Sequence, residues 1–338
     1  MARTPSSAYF VVAVHAKQML IFRRIEEFPA EFGKTVLSAG NFDGVHRAHQ
    51  HVLKEMMQTA QNLRAKSVAV TFEPHPVRIL RPDAAPKLIT PLESKLELLS
   101  QTGIDAALVI PFTRDFSMTS PLEFARLLKT KLGAVEVHEG ANFHFGHKAE
   151  GNVTRLQEMG RELGFEVKIY SEMRSHGEII SSSRIRELIL QGKVSRARSL
   201  LGRPLMIAAP PGRGRGYGHK YTVPTINLAH CDELVPADGV YITRTRAAGE
   251  CFDSVTNIGT RPTFGAESFA IETHLLNFHP IELSPDSPVE ICFLQRLRPE
   301  IKFPSVEALR EQIARDVHRA RRYLRLARRL EDAATIAR

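Results

Sequence analysis

The chain has 338 residues, room for about two domains at roughly 150 residues each. Its 43% hydrophobic and 25% charged content is ordinary for a globular protein, and no apolar stretch approaches the roughly 20 residues that span a bilayer, which argues against a membrane partner. Three scattered cysteines, Cys231, Cys251 and Cys292, fit neither a disulfide framework nor a metal spacing and point to a reducing cytoplasm.

The net charge of +9 suits polyanionic ligands. Much of it sits in Arg319, Arg321, Arg322, Arg325, Arg328 and Arg329, which read as a solvated helix face. No zinc-finger spacing or RNA-binding aromatic motif accompanies that run, so nucleic acid is not the expected partner. The oligomeric state is not legible.

In chain order, residues 1–18 read as a disordered extension: the apolar run Tyr9–Val14 is too short for a signal segment, and the patterned sequence opens at Met19. The run Thr35-Val36-Leu37-Ser38-Ala39 predicts a strand. It is followed by Gly40-Asn41-Phe42-Asp43-Gly44-Val45-His46-Arg47-Ala48-His49-Gln50 and then by a helical pattern from Val52. A strand feeding a tight turn and a helix start presents free backbone N–H groups, which attract phosphate. His46 and His49, one turn apart, fall on one helix face, where imidazoles can donate to phosphate oxygens. Two plainer readings stay open at this point: a metal pair lacking its third ligand, or surface histidines.

Further strands are predicted over 67–72, 106–110, 135–137 and 165–170, with helices between them such as 121–128, capped by Ser120. Alternation of this kind implies a parallel sheet with helices on both faces, which gathers ligands at the carboxyl ends of its strands. The motif at 40–50 is placed at such an end; the half also offers Gly140-Ala141-Asn142-Phe143-His144-Phe145-Gly146 after a strand and Ile180-Ser181-Ser182-Ser183-Arg184-Ile185-Arg186 opening a helix. The serines can cap that helix and donate to phosphate, and Arg186 offers a fork for the β- and γ-phosphates.

After Leu200–Pro204 the texture changes. A Gly/Arg-rich stretch runs from Gly212 to Gly218, including Gly214 and Gly216, and strands are predicted over 240–245 and 287–294. Turn-separated strands with almost no helix until Ser305 argue for a small antiparallel barrel. The segment Val306 to Leu330 reads as a terminal helix with Leu309, Ile313 and Val317 on its apolar face. The expected domains are 19–200 and 201–330.

Taken as a set, Gly-Asn-Phe-Asp-Gly-Val-His-x-x-His, Thr71-Phe72-Glu73-Pro74-His75-Pro76, Asn142-Phe143-x-Phe145-Gly146 and Ser-Ser-Ser-x-Ile-Arg resemble the bacterial bifunctional riboflavin kinase/FAD synthetases, in order and spacing, from about Met19 to the terminal helix. The resemblance implies a Rossmann-like nucleotidyltransferase domain, an FMN adenylyltransferase, followed by a riboflavin-kinase β-barrel with a terminal helix. It gives His46 and His49 contacts to ATP phosphates, Asn142 the reacting phosphate region, and Ser182, Ser183 and Arg186 the leaving pyrophosphate. Gly40, Phe42 and Asp43 belong to the same phosphate turn.

In the second half Val223-Pro224-Thr225-Ile226-Asn227 resembles the kinase Pro-Thr-Ala-Asn motif, making Thr225 and Asn227 oxygen ligands for Mg²⁺ with ATP. Gly214, Gly216 and Gly218 would arch over the nucleotide. Ile271-Glu272-Thr273-His274-Leu275 matches the catalytic glutamate motif, so Glu272 is the expected base for riboflavin's terminal ribityl hydroxyl. Asn257 to Phe264 matches the flavin-side loop.

The chain departs from the family at Ala48, where Gly is usual, and at Thr222-Val223. Riboflavin, FMN and ATP are the expected partners. The alternatives are a kinase whose adenylyltransferase domain is impaired and a flavin- or RNA-binding regulator.

Overall fold

A computed structural model describes residues 18–212, 225–229, 233–263, 266–284 and 287–336. The expectations for residues 1–17, for Gly214, Gly216 and Gly218 and for Thr222-Val223 lie outside the described residues. The chain divides into two compact units between Arg184 and Ile185.

In the first unit, β1 (Leu20–Phe22), β2 (Thr35–Ala39), β3 (Lys66–Glu73), β4 (Ala106–Pro111), β5 (Ala134–Gly140) and β6 (Glu166–Tyr170) form a six-stranded sheet in the order β1-β4-β3-β2-β5-β6, parallel throughout. All five residues of β2 and the first five of β4 are buried, as strands covered on both faces require. The helices are α1 (Arg47–Asn62), α2 (Pro76–Leu80), α3 (Leu92–Ser100), α4 (Pro121–Thr130) and α5 (Val153–Leu163). Leu53 and Met56 of α1 and Leu96 and Leu99 of α3 pack with Val36, Ala69 and Ala107 on one face. Phe124 and Leu128 of α4 and Leu156 of α5 pack with Leu37, Val70 and Leu108 on the other.

The expected cap of α4 is a full capping box: Ser120 Oγ accepts the Glu123 N–H, while Glu123 accepts the Ser120 N–H. From β2 the sheet grows through β3 and β4 to one side and through β5 and β6 to the other. The strand order therefore reverses between β2 and β5, and a ligand crevice opens at such a reversal.

The second unit begins within α6 (Ser182–Leu190), continues through α7 (Val194–Leu201), and holds a seven-stranded antiparallel sheet. Its strands are β7 (Leu205–Ala209), β8 (Pro211–Gly212), β9 (Thr225–Leu228), β10 (Gly239–Ala247), β11 (Glu250–Thr263), β12 (Ala266–Leu275) and β13 (Val289–Arg298), in the order β7-β13-β10-β11-β12-β9-β8. The single run 205–212 forms both edges of that order, so the sheet curls round to meet itself, which is the expected barrel-like form. Among the described residues no helix intervenes between Leu201 and Val306. α7 packs on β13 and β7.

One face of this sheet carries buried hydroxyls that satisfy one another. Thr243 Oγ1 lies 2.8 Å from Ser254 Oγ and 2.7 Å from Thr256 Oγ1, and Thr245 Oγ1 lies 3.0 Å from Thr273 Oγ1. The other face is covered by α8 (Val306–Ile336). Here the expected apolar stripe is corrected. Leu309 and Ile313 are each 38% exposed, and the residues that pack on Val240, Ile242, Val255 and Leu294 are Val317, Ala320 and Leu324.

The helix runs on to Ile336, and ion pairs set where it meets the sheet. Arg298 Nε bonds Asp316 Oδ2 at 2.9 Å, Arg244 Nη1 bonds Glu331 Oε2 at 3.2 Å, and Arg328 pairs with Asp253. Thus part of the arginine run read as solvated is held against the sheet. Local periodicity could not reveal that register.

Candidate active sites

The turn after β2 is held in an unusual backbone. Phe42 and Val45 have φ of 48° and 35° and Gly44 has φ of 86°; for a β-branched residue such as Val45 this is an outlier that its surroundings must enforce. Asp43 supplies the enforcement. Its buried carboxylate accepts the backbone N–H groups of Ile89 and Thr90, both at 3.0 Å from Oδ1, and Thr90 Oγ1 accepts the Gly44 N–H at 2.9 Å. Ser182 Oγ donates to the Asp43 carbonyl at 2.8 Å, tying the start of α6 to the turn.

The turn borders a cavity of about 970 Å³. Gly40, Phe42, His46, His49, Asn142, Ser182 and Ser183 all line it, so most of the residues the sequence singled out in this half converge on one space. Ala48, the departure from the family, is also on the wall. Asp43 is not; it lies beneath the turn. Arg186 lies one turn further along α6, past the residues of the first unit.

His46 is the N-cap of α1 rather than a member of its first turn, and its Nδ1 accepts the His49 N–H at 3.4 Å. With Nδ1 accepting, the neutral ring carries its proton on Nε2. The two imidazoles stack at 3.6 Å between centroids. His49 Nδ1 is enclosed without a hydrogen-bond partner among the described residues, and burial, with His46 and Lys95 nearby, holds the His49 pKa well below the usual 6.5. His49 is therefore neutral at neutral pH.

Sequence reasoning missed two buried groups here. Lys95 Nζ bonds the Asn41 carbonyl at 3.2 Å and Thr71 Oγ1 at 3.1 Å, which fixes the turn from below. Burial lowers its pKa, opposed by Glu73 and Asp43. Glu139, at the carboxyl end of β5, is 3% exposed and lines the cavity. Neither had a signal beyond a charge inside an apolar pattern. Arg81, Arg114 and Lys148 also line the space and add positive charge to it.

A wall of Phe72, Phe112, Phe116, Phe124, Phe143 and Phe145 completes the cavity. Phe143 and Phe145 stack at 5.4 Å, and Phe72, Phe112 and Phe116 form a cluster with centroids within 6.0 Å. A flat aromatic ligand fits against such rings, and a phosphate chain fits the helix start.

The second unit gathers the other set. On β9 and β12, Asn227 lies directly opposite Glu272 and Thr225 opposite His274, while Asn257 of β11 faces Glu272 from the other side. Cross-strand partners share a face, so Thr225, Asn227, Asn257, Glu272 and His274 stand on one surface. It is the same face that carries α8: Val240 pairs with Asn257, and Val255 with His274. Burial and Arg321 lower the His274 pKa to about 4, so this histidine is neutral beside Glu272. The hydroxyl and amide oxygens of Thr225 and Asn227 are hard donors of the kind Mg²⁺ takes together with substrate phosphates. Among the described residues no group of three or more His, Cys, Asp or Glu could hold a metal by itself.

Comparison with known proteins assigns a family to each half of the chain. The FAD synthetase family matches residues 29–184 and the riboflavin kinase family residues 201–324. Bifunctional riboflavin kinase/FMN adenylyltransferases resemble the chain along most of its length. The Buchnera aphidicola protein is 31% identical over 91% of this chain and 100% of its own. The Escherichia coli K12 protein is 32% identical over 87% and 94%, and the Listeria monocytogenes protein 34% over 83% and 90%. A crystal structure titled as a macrolide-efflux protein from Streptococcus pneumoniae superposes with a TM-score of 0.80 over 90% of this chain and 98% of that one. At 24% identity it speaks to the fold alone. With both domains matched and relatives above 30% identity across nearly the whole chain, the protein belongs to the bifunctional riboflavin kinase/FMN adenylyltransferase family.

Proposed function

We propose that this protein makes FAD in two steps: the second unit phosphorylates riboflavin to FMN with ATP, and the first transfers AMP from ATP to FMN with release of pyrophosphate. The observation that carries the reading is the convergence of His46, His49, Asn142, Ser182 and Ser183 on one cavity, together with the register that sets Asn227 opposite Glu272.

In the kinase step, Glu272 accepts the proton of the terminal ribityl hydroxyl as that oxygen attacks the γ-phosphorus; the bond to the bridging oxygen breaks and ADP leaves. Thr225 and Asn227 would hold the metal–nucleotide, and Mg²⁺ would supply charge neutralisation at the phosphates there. A role for Gly214, Gly216 and Gly218 at the nucleotide belongs to the same proposal.

In the adenylyl step, an FMN phosphate oxygen attacks the α-phosphorus in line. No covalent enzyme intermediate is needed, so the residues act by position and charge. His46 donates from Nε2 and His49 from its neutral ring to ATP phosphate oxygens. Asn142 orients the reacting phosphate region. Gly40 and Phe42 let the backbone approach the phosphates, with Asp43 bracing the turn, and Ser182, Ser183 and Arg186 receive the pyrophosphate. The aromatic wall takes the isoalloxazine ring.

The domain limits that go with this proposal are 19–200 and 201–330. No helix among the described residues is long and apolar enough to cross a membrane, and the cytoplasm is the proposed location. The test is to incubate the protein with riboflavin and Mg-ATP and resolve the flavins by chromatography. FMN followed by FAD is expected. FMN alone would support the narrower kinase reading, in which the Ala48 methyl on the cavity wall blocks the second step. Neither product would refute both.

A further inference from the structure

Glu139 is a buried acid for which the two reaction steps above have no use. It sits where the sheet splits. The β2–β5 ladder pairs Val36 with Glu136 and Leu37 with Val137 and then ends. Beyond that point the Ala39 N–H is taken by the Glu139 side chain, whose Oε1 accepts it at 2.6 Å. Oε2 makes no hydrogen bond to any described residue, and Glu139 lines the cavity. Among the described residues no cation pairs with the group, and burial raises its pKa well above the usual carboxylate value, opposed by the Ala39 N–H. Burial thus favours the protonated acid, and with Oε1 occupied as acceptor that proton belongs on Oε2.

The two sides of the crevice differ. His46 and His49 stand at the start of α1, whose Leu53 packs on the Phe42 and Val45 side. Ala39, the residue that Glu139 grips, and Val137, two positions before it on β5, belong instead to the cluster that contains Phe124 and Phe145 and against which Phe72, Phe116 and Phe143 pack. The acid therefore stands with the aromatic wall, and not with the phosphate-binding helix start.

We propose that Glu139 is a specificity residue for the flavin substrate of the adenylyltransferase, donating a hydrogen bond from Oε2 to an acceptor on FMN. The proposal rests on the FMN adenylyltransferase reading. The acceptor chemistry is shared by the ring carbonyls and the ribityl oxygens. The donor leaves ATP binding untouched.

The experiment measures FAD formation from FMN in wild type, Glu139→Val and Glu139→Gln, with FMN and ATP varied separately. The melting of the first unit, followed by calorimetry, serves as the control for folding. Valine removes the donor, and the FMN KM is expected to rise about ten- to a hundredfold with the ATP KM unchanged. Glutamine keeps an acceptor for Ala39 and places an amide donor toward the cavity, so its FMN KM stays within about threefold of wild type. Glu139→Met, which keeps side-chain length, replaces valine if valine costs the fold. Direct binding of lumiflavin, which has the ring without the ribityl chain, separates the two acceptors: a valine-dependent loss puts the partner on the ring, and no loss puts it on the chain. An unchanged FMN KM in both apolar variants, a rise confined to ATP, or a glutamine variant as impaired as valine would overturn the proposal. Failure of wild type to make FAD would instead overturn the reading beneath it.

Discussion

Asp43→Ala separates a brace from a phosphate ligand. The carboxylate accepts Ile89 N–H and Thr90 N–H, each at 3.0 Å from Oδ1, and is 3% exposed. Alanine leaves two buried donors unsatisfied at about 1–3 kcal/mol each, so the loss is about 2–6 kcal/mol. Lys95 also loses a carboxylate that supports its charged form. For a unit of this size, each kcal/mol lowers the melting temperature by about 2–4 °C, and calorimetry should show the first unit melting about 5–20 °C earlier. Adenylyl transfer should fall with it as the turn relaxes from its left-handed backbone, while riboflavin phosphorylation continues. Asp43→Asn, which keeps one oxygen, should fall between the two. If Asp43→Ala melts within about 1 kcal/mol of wild type yet loses adenylyl transfer, Asp43 touches substrate and the bracing argument is wrong.

Two further outcomes follow from the second unit. Leu324→Ala removes a fully buried side chain beneath α8 and should cost about 2–5 kcal/mol, whereas Leu309→Ala, at 38% exposure, should change stability little; equal effects in urea unfolding would restore the stripe read from periodicity. His274 has its folded pKa lowered to about 4 from 6.5, so its contribution is present above pH 6.5 and is lost as pH falls through about 4. His274→Gln should flatten the acid limb of the second unit's stability between those values, and an unchanged limb would show that the ring is not buried in its neutral form.

What the sequence made legible was local and periodic. The strand Thr35–Ala39, the Ser120 cap and the alternation that makes a parallel sheet depend on near neighbours, and they stand where expected. The phosphate turn was legible because strand, turn and helix start are contiguous. What stayed hidden depends on partners far away in the chain. The α8 stripe moved one turn because Arg244, Asp253 and Arg298 anchor the helix from other elements. Lys95 and Glu139 look like surface charges until Thr71 and Ala39, 24 and 100 residues away, supply their bonds. Asp43 reads naturally as part of a phosphate turn, and only the loop at Ile89-Thr90 shows what its carboxylate holds.

The central claim is that the two chemistries use separate sets of side chains, and paired variants test it most directly. Each variant is given Mg-ATP with riboflavin, and in a second reaction Mg-ATP with FMN, and the flavins are resolved by chromatography. Glu272→Gln keeps size but removes the proton acceptor, so FMN formation should fall by about 10²–10⁴ while FAD formation from supplied FMN is retained. His46→Ala removes the cap of α1 and a donor to phosphate, so it should show the reverse pattern. Near-normal kinase turnover in Glu272→Gln, or loss of both activities in either single variant, would contradict the account.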